Sequence, residues 1–241
     1  MNEQAGAPTA IVTGGSRGIG RAVVEALLGR GYEVHFCSRS PASVEAAERD
    51  LSGRFGGAVT GRAVDVRRQE AVDTFVAGVL AAAGRIDCLV NNAGLGLFGP
   101  VDELSGEQWR QVIDTNLSGA FYFIHAVAPA MKRQGEGWIF NVSSLAGKSG
   151  FAGGAAYNAS KFGMNGLSEA AMLDLRPHGI RVAEILPGSV DTSFGTRREG
   201  ADQAWMLRPE DVAQMILHLL SYPAHALPSR VEMRPSRPPG R

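Results

Sequence analysis

Short runs rich in valine, isoleucine and leucine recur along this chain, and nearly all are followed by a stretch of helical length and pattern. The spacing predicts strands over Thr9–Thr13, Glu33–Ser38, Ala58–Val64, Ile86–Val90, Trp138–Val142, Ile180–Leu186 and Val231–Met233. It predicts helices over Arg17–Arg30, Pro41–Arg54, Arg67–Ala83, Ala155–Arg176 and Arg208–Ser221. Another starts at an N-capping Ser105, carries Glu107 in its first turn and reaches Met131. Strands that are continuously apolar are buried on both faces, and strands separated by helices run parallel with right-handed crossovers. The fold class that follows is α/β: one doubly wound domain, a parallel sheet of about seven strands with helices on both faces. Pro187-Gly188 ends the sixth strand, and Ser193–Leu207 reads as irregular. No linker, repeat or second core divides the 241 residues, so 1–241 is one domain, with 1–7 and 235–241 expected to be disordered.

A doubly wound sheet binds its ligand outside the carboxyl ends of its strands. Gly14–Gly20, Asn91–Gly94, Ser144 and Pro187–Thr192 all follow strands directly, so the chemistry is expected there. Composition narrows what that chemistry serves. A formal net charge of zero, with no basic block, argues against nucleic acid or an anionic membrane as partner. No apolar run is long enough to span a bilayer and the first residues lack a secretory layout, so a cytoplasmic protein is expected. Cys37 and Cys88 fall in strands and read as reduced core thiols. The five histidines show no ligand spacing, so no metal is expected.

The first strand runs into TGGSRGIG, which opens a helix. Its glycines, Gly14, Gly18 and Gly20, allow a tight turn, a close approach of backbone to a pyrophosphate, and a helix N-terminus to hold the anion. The end of the second strand is where an acidic residue would hold a free ribose 2′-hydroxyl; here it carries Ser38-Arg39. Arg39, with Arg17 in the glycine turn, suits a 2′-phosphate and therefore NADP(H). Asp65-Val66, after the third strand, would bracket the adenine, though a helix N-cap explains Asp65 equally well.

Tyr157 and Lys161 are four apart in a predicted helix, so phenol and ammonium share one face. A fixed cation beside a phenol favours the phenolate and brings its pKa down. Such a tyrosine exchanges a proton with an alcohol or carbonyl at neutral pH. Ser144 lies 13 residues before Tyr157, at the end of the fifth strand, where its hydroxyl would orient the same oxygen.

TGGSRGIG, Asp65, NNAG at Asn91–Gly94, Asn116 in DTNLSGAF, Ser144, Tyr157-x-x-x-Lys161 and Pro187–Thr192 occur in this order over nearly the whole chain. In this it resembles the short-chain dehydrogenase/reductase family, in its single-domain branch. The resemblance implies a Rossmann fold and hydride transfer between NADP(H) and a carbonyl or alcohol. Tyr157 would be general acid or base, Lys161 would hold the nicotinamide ribose, Ser144 would bond the substrate oxygen, and Asn116 would anchor a relay water. It implies cofactor contacts from Gly14, Ser16, Arg17, Gly18, Ile19, Gly20, Ser38, Arg39, Asp65, Val66, Asn91, Ala93, Gly94, Tyr157, Lys161, Pro187, Gly188, Val190 and Thr192. The substrate would lie between Leu95–Phe98, Leu145, Phe151 and Ser193–Leu207, with Phe194 and Trp205 as walls, and Arg197-Arg198 either as solvated charges or as a site for a substrate carboxylate. These walls suggest a small, apolar ketone or aldehyde. Family likeness and the small-residue faces of Ala155–Arg176 suggest a homodimer or homotetramer. Two other readings use the same fold. An epimerase or dehydratase would carry a larger C-terminal region, and a non-catalytic dinucleotide sensor would lack the tyrosine.

Overall fold

The computed structural model describes residues 6–192, 194 and 204–237. The expectations for residues 1–5, Ser193, Arg197-Arg198 and 238–241 lie outside the described residues.

The apolar runs form a seven-stranded, all-parallel sheet in the order β3-β2-β1-β4-β5-β6-β7. The strands are β1 (Thr9–Thr13), β2 (Glu33–Ser38), β3 (Val59–Ala63), β4 (Cys88–Asn91), β5 (Gly137–Val142), β6 (Ile180–Pro187) and β7 (Arg230–Met233). Every residue of β1, β4 and β5 is buried, as continuous apolar patterning requires. The helices are α1 (Gly18–Leu28), α2 (Pro41–Phe55), α3 (Gln69–Ala83), α4 (Gly106–Ile113), α5 (Gly119–Gln134), α6 (Ala155–Leu175) and α7 (Pro209–Leu220). One face of the sheet packs on Val23, Val24 and Leu27 of α1, Val44 and Leu51 of α2, and Val212 and Ile216 of α7. The other packs on Val72 and Val76 of α3, Phe123 and Val127 of α5, and Leu175 of α6. The order reverses between β1 and β4, and their carboxyl ends open the crevice that holds the site. Among the described residues, no helix is long and apolar enough to cross a membrane.

Local signals set the boundaries. Ser40 accepts from the Ser43 amide and Pro41 opens α2. Ser105 and Gln108 exchange side-chain bonds at the start of α4, a complete capping box. The helix expected to run unbroken from Ser105 to Met131 is instead interrupted. Asp114–Ser118 forms a π-turn, and the Gly119 amide bonds back to the Asp114 carbonyl. The wider turn inserts a residue and rotates Asn116 to full burial. Strand β6 also differs, since it continues through Pro187 and pairs with Met233. A proline at the last strand position removes only a terminal ladder bond. The irregular segment is tied at its ends: Val190 and Leu207 bridge, Leu207 donating to Ser189 and Asp191 donating to Leu207.

Candidate active site

A cleft of about 670 Å³ runs across the carboxyl ends of the strands, from Ser38 and Arg39 at one end to Tyr157 and Lys161 at the other. Its floor is the glycine turn. Gly14 and Gly18 have φ of 68° and 56°, a left-handed backbone that suits glycine. The Gly15 amide donates to the Cys37 carbonyl at 3.1 Å, hanging the turn from β2. Asn92, just past the end of β4, braces it, donating through Nδ2 to the carbonyls of Thr13 (3.0 Å) and Gly14 (3.3 Å). Helix α1 then starts with no side-chain cap and no acid in its first turn. Its N-terminus is left electropositive beside Gly18 and Ile19, which line the cleft.

At the far end Ser16, Arg17, Ser38, Arg39, Ser40, Ser43, Asp65, Val66 and Arg67 line the wall. The Ser16 amide donates to Ser38 Oγ at 3.3 Å. Asp65 does not cap α3, whose N-cap is Arg68. It instead accepts from Arg67 through backbone and guanidinium, and this pairing holds its carboxyl below the usual range.

At the other end β5, α6 and the loop after β4 converge. Lys161 is 5% exposed and donates from Nζ to the Val142 carbonyl at 2.9 Å. Burial lowers its pKa to about 8, opposed by the Glu184 carboxylate. Glu184, also buried, accepts from Arg230 at 3.0 Å through one oxygen, while Oε1 has no hydrogen-bond partner. The Lys161 ammonium lies 5.8 Å from the Tyr157 ring centroid. The Tyr157 phenol was expected to be lowered by that cation, yet it is raised. Burial dominates, and a hydrogen bond with Ser144 only partly opposes it. Asn116 clamps the site: Oδ1 accepts from the Leu95 amide at 2.7 Å, and Nδ2 donates to the Leu95 carbonyl and to Ser160 Oγ, each at 2.9 Å. Both of its amide hydrogens are thus spent on protein, so its side chain has no donor left for a relay water.

Of the residues expected in the site, Gly14, Ser16, Arg17, Gly18, Ile19, Ser38, Arg39, Asp65, Val66, Ala93, Gly94, Ser144, Tyr157, Lys161, Pro187, Gly188, Val190 and Thr192 line this cleft. Asn91 does not. Strand β4 extends to it, and its side chain turns into the sheet to donate to Asn141 Oδ1 at 2.9 Å. Side chains alternate along a strand, so Asn92 lines the cleft instead. Gly20 is buried beneath the turn, where an added Cβ would fall 2.3 Å from the Gly14 carbonyl oxygen. Leu145, Phe151 and Trp205 are also outside the lining, whereas Leu95, Phe98 and Phe194 are in it. Sequence reasoning missed Arg67, Ser40 and Ser43, which carried no motif, and Asn92, for which the adjoining asparagine was taken.

The family model for short chain dehydrogenase matches residues 8–203. The chain belongs to that family. Sepiapterin reductase of Chlorobaculum tepidum is 32% identical over 94% of this short-chain dehydrogenase and 95% of its own length. An NADP-dependent 3-hydroxy acid dehydrogenase of Salmonella typhi is 34% identical over 93% and 94%. Among solved structures, a metagenomic short-chain oxidoreductase in complex with NADP superposes with a TM-score of 0.84 at 38% identity, covering 96% of this chain and 98% of that one. An alcohol dehydrogenase from the archaeon Thermococcus sibiricus, complexed with 5-hydroxy-NADP, gives 0.88 at 31%, with the same coverage. This dehydrogenase is therefore an oxidoreductase of that family on a single α/β sheet.

The cleft fits a dinucleotide on its own features. An uncapped helix start meets the turn at Gly18, where an added Cβ would come within 3.4 Å of Thr192 Cγ2 across the gap. Arginines stand at one end and a tyrosine–lysine pair at the other.

Proposed function

We propose that this short-chain dehydrogenase transfers a hydride between NADP(H) and the carbonyl or alcohol carbon of a small, apolar substrate, working chiefly as a carbonyl reductase. The observation that carries this reading is the polarity of one continuous cleft: guanidinium and hydroxyl groups at the end of β2, and Ser144, Tyr157 and Lys161 at the end of β5. No carboxylate follows β2 to receive a free 2′-hydroxyl, and Arg39 stands exposed there. A bound nicotinamide dinucleotide would supply or accept the hydride.

The chain's own residues manage the proton and the orientation. Burial keeps the Tyr157 phenol protonated at neutral pH, the form that reduction consumes. Ser144 and Tyr157 line the same end of the cleft, so a carbonyl oxygen taking a hydrogen bond from each hydroxyl is aligned for protonation. Lys161, still charged at pH 7, stabilises negative charge developing on the tyrosine oxygen. Asn116 fixes Leu95 against α6 and so holds one wall of the pocket.

We further propose a cytoplasmic setting, in keeping with the two buried free thiols, and a homodimer or homotetramer. The half-exposed Trp109, Phe121, Phe162 and Leu173 on α4, α5 and α6 support the assembly. The test is purified protein with NADPH and a panel of ketones and aldehydes, followed at the nicotinamide absorbance. Net NADPH oxidation is expected. Turnover without net cofactor change would select an epimerase or dehydratase, and binding without turnover a sensor. A monomer by light scattering at micromolar concentration would overturn the assembly.

A further inference from the structure

Two phenylalanines on separate loops, Phe98 and Phe194, line the Tyr157 end of the cleft, and a third, Phe151, packs on Phe98 outside that lining. Phe98 follows β4, Phe151 precedes α6 and Phe194 follows β6, and they are left 45%, 49% and 44% exposed. The Phe98 ring is centred 5.6 Å from the Tyr157 ring at 69°, and 5.9 Å from Phe151 at 47°. Phe194 lies 5.6 Å from Tyr157 at 51°. Two glycines provide the room these rings occupy. A Cβ on Gly96 would fall 2.6 Å from Phe98 Cζ and 2.9 Å from Phe194 Cε1, and one on Gly154 would fall 2.6 Å from Phe151 Cε2. The loops are also tied together: the Gly99 amide donates to the Gly153 carbonyl at 2.9 Å, and the Phe151 amide to Asn158 Oδ1 at 3.3 Å.

Large apolar rings held half in water around one point are costly unless a ligand covers them. Any apolar group would recover the area. The angles discriminate further, because rings inclined at 47° to 69° present edges and faces from different directions. An aromatic ring entering among them finds edge-to-face or offset partners that an alkyl group does not. Phe98 and Phe194 both touch the ring that carries the phenol, so a ring packed on them lies about one ring away from the proton donor.

Resting on the carbonyl-reductase reading, we propose that the preferred substrates are aryl ketones or aryl aldehydes, with the aromatic ring seated against Phe98 and Phe194. The carbonyl carbon takes the hydride of NADPH, and its oxygen takes the Tyr157 proton. The products are the benzylic alcohol and NADP⁺, and the phenol is reprotonated from solvent.

Acetophenone and cyclohexyl methyl ketone, which share a skeleton, test this with the full chain and NADPH. The measured quantity is the ratio of their kcat/KM values in the wild type and in Phe98→Leu and Phe194→Leu. Comparing the ratio across proteins cancels the intrinsic reactivity of the two ketones. The ratio is expected to fall about tenfold in at least one variant, the size of two lost aromatic pairs. NADPH titration and melting curves confirm that each variant is folded. An unchanged ratio in both folded variants overturns the aryl preference and leaves the reductase reading standing. Failure of every carbonyl to oxidise NADPH overturns both.

Discussion

The two ends of the cleft are built on opposite principles. At the β2 end the ligand-facing groups are main chain and solvent-exposed side chains, with Arg17, Arg39, Ser40 and Ser43 all exposed. At the β5 end they are backed by polar groups taken out of water: Asn116, Asn141, Ser160, Lys161 and Glu184 are buried. Charge at the first end is cheap to keep and screened in its effect. Each buried group at the second must find a partner, and ionisation there is shifted rather than screened. Substitutions at the catalytic end should therefore cost far more than substitutions at the nucleotide end.

The largest effect is expected at Tyr157. Tyr157→Phe keeps the ring that packs on Phe98 and Phe194 but removes the proton donor. Turnover should fall by about 10²–10⁴-fold with NADPH affinity retained, as steady-state kinetics and cofactor titration would show. A variant keeping most of its activity would remove the catalytic end from the comparison altogether. Next comes Asn116→Ala, which strips hydrogen bonds from the Leu95 amide, the Leu95 carbonyl and Ser160 at a fully buried point. A loss of about 2–4 kcal/mol in denaturant unfolding is expected. A loss under about 0.5 kcal/mol would mean that buried polar groups here are no more demanding than surface ones.

The same contrast governs what could be read from sequence. The alternation of strand and helix, the glycine turn and the Tyr157–Lys161 spacing are local patterns, and all appear where expected. Asn91, a cofactor contact by resemblance, belongs instead to β4, and a period of two turns its side chain into the sheet. The π-turn left no trace in DTNLS, whose polar residues read as the wet side of a regular helix. The direction of the Tyr157 shift was also illegible, because it depends on how much of the phenol is buried, and spacing alone reports only the cation. Arg67 reaches the cleft through a turn tied by Asp65, a contact no motif announces.

A smaller effect separates the two ends by pH. The Lys161 pKa falls from 10.5 to about 8 on folding, so above about pH 8 the unfolded chain holds that proton longer than the folded one. Stability from this group therefore rises with pH between about 8 and 10.5, and below 8 the full cost of the buried charge is present. Lys161→Met abolishes this slope. The stability difference between wild type and variant should move by on the order of 1–3 kcal/mol in favour of wild type from pH 7.5 to 10.5, measured by urea unfolding. Arg39→Met, at the exposed end, should show no such movement. Parallel pH profiles for wild type and Lys161→Met would mean that the ammonium is better solvated than its burial implies.

The smallest effect belongs to the nucleotide end, and it tests the comparison from the other side. Ser38 and Arg39 offer a hydroxyl and a guanidinium where a 2′-phosphate would lie, and Arg17 lines the same wall. Charge-assisted hydrogen bonds to a phosphate are each worth about 1.5–3 kcal/mol where they are well made. Exposure reduces that return, so NADPH should bind roughly 10- to 100-fold tighter than NADH. Because the contacts stand in water, rising salt should shrink the ratio, with screening lengths falling from about 10 Å at 0.1 M to about 3 Å at 1 M. Ser38→Asp combined with Arg39→Leu should reverse the order, adding a repulsive carboxylate while removing an attraction. Neither change touches a buried group, so melting temperature and the turnover of bound cofactor should stay near the wild-type values. Equal affinity for the two nucleotides in the unmutated protein would leave the arginines as solvated surface charges. A preference that survives 1 M salt would show instead that this end, like the other, works out of reach of water.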